Sequence, residues 1–273
     1  MHSRFIRQRK CRGFTAVGFG LLLARGMLLP AFADATTSPK LDEVLVNASK
    51  SVERFWEQFP SVTCIESVRQ EKVGNKGKIE YEQQSIFDYL IFMNLQGEDL
   101  TVEESRLLQK SVGKSKNLPL LITSGFPTLL LVFHPYYQGD YRYQLDGDDT
   151  LEGKRLMKVR FEHVSGTRST SALRLRDRDY PLDLQGIAWI DPETGAIEKM
   201  VASLEAPMSD LNLKTLNVEV TYEPEQFSST TGVEWLPSTA TIDVETARQH
   251  WHNVHHFTNY KRFTVKSEST VSK

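Results

Sequence analysis

Residues 248–259, RQHWHNVHHFTN, hold His250, His252, His255 and His256, four of the seven histidines in this 273-residue chain. Imidazole is the commonest metal ligand and titrates near neutral pH, so such a cluster could hold zinc or move protons. A catalytic zinc site needs three protein ligands and an open position. In an extended strand, residues two apart share a face, with Cα atoms about 6.5–7 Å apart. His250, His252 and His256 then project one way, and His255 the other, beside Trp251 and Phe257. One reading is a metal-dependent hydrolase using His250 and His252, with a distant carboxylate as third ligand. The other is a strand wall of half-buried, hydrogen-bonded rings. The chain has no H-E-x-x-H, no paired cysteines of a structural zinc site, no G-x-S-x-G, no P-loop and no G-x-G-x-x-G. The wall is the reading adopted, with no metal, no cofactor and no catalytic residue expected.

Other chemistry-bearing groups read as structural. DGDD at 146–149 lacks the spaced ligands and distant Glu of a calcium loop, and is expected to be a hairpin turn. Arg174, Arg176 and Arg178 form a row that could bind an anion, but Asp177 and Asp179 between them favour a solvated charged segment. Cys64 has no positioned base nearby in sequence and is expected to be a small buried side chain.

The first 33 residues have the pattern of an export signal. Arg4, Arg7, Arg9, Lys10 and Arg12 precede the apolar run GFTAVGFGLLLARGMLLPAFA, and Ala31-Phe32-Ala33 supplies a small-x-small cleavage pattern. Arg25 and Pro30 interrupt the run, so it is short for a membrane span. Cleavage near Ala33 removes Cys11 and six of the 33 basic side chains, leaving 27 against 35 acidic ones, a formal −8. That charge argues against nucleic acid as a partner and against electrostatic adhesion to an anionic bilayer. With Cys64 alone remaining, no internal disulfide can form and folding must rest on a hydrophobic core. Residues 34–273 are enough for one domain.

The elements that must position these groups follow from spacing. LDEVLVNASKSVERFWEQFP has apolar residues at 41, 44, 45, 48, 52, 55, 56 and 59, which predicts an amphipathic helix ended by Pro60. SVTCIESVRQEKV and IEYEQQSIFDYLIFMNL predict strands around the turn GNKGK. DLTVEESRLLQK suggests a short helix with Glu103 and Glu104 at its positive end. Ser124 is placed to cap another, with body Pro127–Phe133, stopped by Pro135 and apolar almost all round. Beyond Tyr141 the period becomes two. LNVEVTY and TATIDVE alternate cleanly, and GIAWI-DPETG-AIEKM is a strand, a turn and a returning strand. ALRLRDRDYPLDLQG reads as a crossing connection. The sum is α+β: a curved antiparallel β-sheet, an incomplete β-barrel, with two or three helices packed on its concave side.

FPSVTCIESVRQ, GFPTLLLVFHPYYQ, YPLDLQGIAWIDPETGAIEKM and NYKRFTV together resemble a family of secreted, uncharacterised bacterial proteins. Their segment order resembles the outer-membrane lipoprotein carriers, the LolA/LolB-like fold, over most of residues 45–266. The resemblance implies an incomplete antiparallel barrel closed by helices around an apolar hollow for lipid chains. It implies a non-enzymatic periplasmic or secreted carrier for a hydrophobic small molecule or a lipoprotein acyl group, with at most peripheral contact with the envelope. Phe126, Leu129, Leu130 and Phe133 are expected to form a lid over the hollow, with Trp189 and Met200 on its wall. An envelope scaffold without a ligand is the remaining alternative.

Overall fold

The computed structural model describes residues 39–58, 62–96, 99–113, 123–124, 127–175, 178–227 and 232–262. The export segment with Cys11, the lid residue Phe126 and the pair Arg176–Asp177 lie outside the described residues. Among the described residues no helix is long and apolar enough to cross a membrane.

Helix α1 spans Pro39–Gln58. Leu41, Val44, Ala48, Val52 and Phe55 are buried along one side, the three- and four-residue spacing expected of it. The strands are β1 (Val62–Val73), β2 (Ile79–Gln96), β3 (Asp99–Gly113), β4 (Thr123–Ser124), β5 (Tyr141–Leu151), β6 (Lys154–His163), β7 (Ala172–Leu175), β8 (Arg178–Pro181), β9 (Leu184–Ile190), β10 (Ile197–Leu204), β11 (Leu213–Gln226), β12 (Val233–Thr246) and β13 (His250–Arg262). Ten of them form one curved, unclosed sheet in the order β3-β2-β1-β13-β12-β11-β10-β9-β6-β5. Every described pairing is antiparallel. Alternation decides which side chains enter the core. Leu216, Val218, Val220 and Tyr222 of β11 are buried, as are Ala240, Ile242 and Val244 opposite them on β12. They share one cluster with the buried face of α1, which defines the inner face of the sheet.

The structure corrects several local expectations. Residues 99–113 are a strand and not a helix, because β3 pairs with β2 along its whole length and that pairing outweighs local propensity. DGDD lies inside β5, where Gly147 at φ 88° accompanies a break in register between Leu145 and Asp148. The hairpin turn falls later, at Glu152 and Gly153, which take φ of 50° and 83°. The expected crossing segment supplies β7 and β8, which with β4 make a small second sheet, and then runs into β9. Leu129–Phe133 is a 3-10 turn. Pro135 opens the next helix, α2 (Pro135–Gln138), with His134 as its N-cap, and does not simply stop the chain. Among the described residues the helices are α1, the single-turn α2 and short 3-10 segments, so α1 is the one long helix of the two or three expected.

Candidate functional site

The expected hollow is largely filled. Leu129, Leu131, Val132 and Phe133 are 0% exposed and Leu130 is 3% exposed, so the apolar turn packs into the core as a plug. Polar contacts hold it there. The Leu130 N–H donates to the Tyr222 hydroxyl (3.2 Å), and the Ser49 hydroxyl of α1 donates to the Phe133 carbonyl (3.2 Å). The Tyr143 hydroxyl donates to the Val132 carbonyl. Met200 is fully buried below. Trp189 is on the opposite face of its strand from buried Ala188 and Ile190; its indole N–H donates to Asp149 (3.1 Å) and Lys199 lies over its ring. The structure thus brings Leu129, Leu130, Phe133 and Met200 into one core and leaves Trp189 on the outer face.

Space remains at one mouth of the core. A cleft of about 620 Å³ opens between the second half of α1, the β9–β10 turn and the start of β12. Val52 and Phe55 form its helix wall, Leu130 and Ile197 its floor, and Val233 and Trp235 its far side. Arg54, Gln58 and Glu234 line it as well. Burial pushes the Glu234 carboxyl above its ordinary value, against the opposing pull of Arg262 and Arg54. Of the five described residues among those expected from the sequence, Leu130 is the one that lines this cleft. Val52 and Phe55 were visible as part of the apolar helix stripe; Val233 and Trp235 carried no such signal.

The cleft depends on how α1 seats on the DPETG turn. The Asp191 carboxylate accepts the backbone N–H groups of Glu193 (2.8 Å) and Thr194 (3.1 Å), and the Thr194 hydroxyl accepts that of Ala196 (3.2 Å). The Asn47 side chain on α1 donates to the Pro192 carbonyl (3.0 Å). Lys154 pairs with Asp191 (2.6 Å) and Glu198 (2.5 Å), and its ammonium stands 5.4 Å from the Trp235 ring centre. One lysine therefore ties the turn to the far wall.

The histidines divide by face as the alternation predicts. His250 and His252 both turn to Asp243, at 3.7 and 2.8 Å. His256 is exposed, and His255 is buried on the inner face. Among the described residues no group of three His, Cys, Asp or Glu side chains is placed to hold a metal ion. His255 instead meets Glu66 of β1 (2.8 Å). Arg106 of β3 grips the same carboxylate at 2.6 and 3.1 Å and reaches Glu104 at 2.5 Å. Burial works to raise the Glu66 carboxyl, but the His255 ring and the Arg106 guanidinium outweigh it and hold the group below its ordinary value. Sequence reading missed this network.

Cys64 sits near it, and burial pushes its thiol up to about 12, with the Glu66 charge adding to the effect. The thiolate is the reactive form. In a chain lacking residues 1–33, the native protein should therefore resist a disulfide-exchange reagent at pH 8, and the Cys64 thiol should react only on denaturation. Rapid labelling of the folded chain would contradict the placement.

The class defined by this fold and cleft is a curved, open antiparallel sheet whose inner face is covered by one long helix and an apolar plug. No family model and no curated protein matches the chain. Among solved structures it is similar to a DUF1329 family protein from Desulfovibrio piger, at 10% identity and TM-score 0.43, over 83% of this chain and 94% of that one. It is also similar to a Vibrio parahaemolyticus domain named for outer membrane lipoprotein sorting, at 11% identity and TM-score 0.35, over 81% and 95% of the two chains. A further likeness is to the Pseudomonas aeruginosa MucA/MucB complex, at 11% identity and TM-score 0.21, over 80% and 100%. The first two are the kinds of protein the sequence resemblance named.

Proposed function

We propose that this chain is an exported, non-enzymatic binding or carrier protein for a hydrophobic ligand, a lipid or a protein-linked acyl chain. The observation that carries the reading is the cleft between α1 and β12. Its volume of about 620 Å³ falls within the range of small-molecule sites, roughly 300–1,000 Å³. Its walls are apolar at Val52, Phe55, Ile197 and Val233, with charge confined to Arg54 and Glu234. An acyl chain entering it gains about 0.8 kcal/mol per buried methylene, so affinity needs no polar anchor. Leu130 of the plug and Ile197 form the floor of the cleft.

The test combines native mass spectrometry of protein purified from the periplasm with titration of a fluorescent fatty acid. A retained lipid and saturable uptake are expected. Val52→Lys, which sets a charge in the apolar wall, should weaken uptake about tenfold or more, because burying an unpaired charge costs several kcal/mol. Absence of both retained lipid and saturable uptake would sink the proposal. Uptake unchanged in Val52→Lys would move the site elsewhere.

A further inference from the structure

The two ends of the large sheet are unlike. β5 presents Arg142, Asp146, Asp148 and Asp149 along its length, with the irregularity at Gly147 between them, as a guarded edge does. β3 is the other end, 15 residues long and free of proline. Of the eight large apolar side chains exposed among the described residues, six stand on β2 or β3. Leu107 is 65% exposed, Leu108 55% and Val112 59%, and all three belong to the edge strand itself. Among the described residues no strand pairs with the outer side of β3, and a long edge bearing exposed apolar side chains is a template for another strand.

The pattern of β3 selects which strand. Its pairing with β2 runs Glu103↔Phe92, Ser105↔Leu90, Leu107↔Asp88, then, after one extra residue at Gln109, Lys110↔Ile86 and Val112↔Gln84. The extra residue returns Lys110 and Val112 to the face of Leu107, so that face reads Glu-Ser-Leu-Lys-Val at even steps. Turned about a two-fold axis through Leu107, this row meets itself. Leu107 faces its own counterpart, Ser105 faces Lys110, and Glu103 lies diagonal to Lys110 of the second copy, opposite charges at favourable reach. On the other face Leu108 meets Arg106, whose charge is already taken by Glu66 and Glu104. Acidic residues precede the apolar centre and a basic one follows it, which is the arrangement an antiparallel self-pairing requires.

We propose that the β3 edge is a homodimer interface, where a second copy of this chain adds its own β3 antiparallel across a two-fold at Leu107. One continuous sheet then runs through both copies, and the interface is isologous. Nothing in this depends on the cleft or its ligand.

Sedimentation equilibrium of the full mature chain should show a reversible dimer. Leu107→Lys places two like charges against each other at the axis and should weaken association about tenfold or more while leaving the circular dichroism spectrum unchanged. Leu107→Cys should cross-link into a disulfide dimer on mild oxidation, whereas Val112→Cys, set opposite Glu103, should not; the native Cys64 is buried and stays silent. A chain that is monomeric at all concentrations would overturn the proposal, as would a dimer indifferent to Leu107→Lys. A monomer whose β3 edge instead takes up an unrelated extended peptide would assign the edge to a different partner and overturn it equally.

Discussion

Replacing Arg106 by methionine is expected to destabilise the fold by about 3–5 kcal/mol, the scale for deleting one partner of a buried ion pair. Glu66 is 0% exposed and sits between Arg106 and His255. Without the guanidinium, a buried carboxylate keeps one hydrogen-bonding ring and loses a bidentate cation. Glu104 loses its partner at 2.5 Å in the same step. Urea unfolding should show a lower midpoint with an unchanged slope. The pair Glu66→Leu with Arg106→Leu should recover much of the loss, because it removes both charges together. A cost below about 1 kcal/mol for Arg106→Met would mean the pair is solvated and the network inert.

The same network sets a pH dependence. The Glu66 carboxyl is held below its ordinary value of 4.5 in the folded state. Its stabilising contribution is therefore complete above that ordinary value and is lost as pH falls through the depressed one. Glu66→Gln should lower stability at neutral pH and flatten the acid side of the stability curve. An acid limb identical to that of the parent would show that other carboxylates govern it.

Gly195→Ala is expected to cost about 2–5 kcal/mol, combining a left-handed backbone penalty with an overpacked contact. Gly195 takes φ of 71°, and a Cβ there would stand 2.1 Å from the Asn47 carbonyl oxygen on α1. Backbone cannot yield as a flexible side chain can, so α1 must lift from the turn. The Asn47 bond to Pro192 goes with it, and the helix wall of the cleft shifts. Gly153→Ala is the control. That glycine takes φ of 83° with nothing within 4 Å of an added Cβ, so only the backbone penalty applies, about 1–2 kcal/mol. Equal costs at the two positions would show that the helix does not bear on Gly195. Fatty acid uptake should fall in Gly195→Ala and stay unchanged in Gly153→Ala.

How much could be read from sequence follows the range of the interaction responsible. Helix α1 and the alternation in β11 and β12 were legible because each records its own buried face within one segment. The Asp191–Gly195 hairpin was legible because its hydrogen bonds are local. β3 was not, since Glu103, Glu104 and the two leucines fit a helix until β2 is laid beside them. The apolar run at 129–133 announced burial correctly, yet nothing local distinguishes a plug from a lid. The cleft joins segments from α1, the 190s turn and β12, and no single window contains it. The histidine alternation was readable, but the partner that gives His255 its role lies 189 residues away.

The first and last described strands pair inside the large sheet, β1 beside β13 as its third and fourth strands. β1, β2 and β3 form one block, and β5, β6, β9, β10, β11 and β12 form another; among the described strands only β13 bridges them. The two blocks therefore stay unjoined until β13 is in place. Such a topology carries high contact order and assembles slowly, with the closing stitch last. β13 is thus the seam on which the continuity of the whole sheet depends.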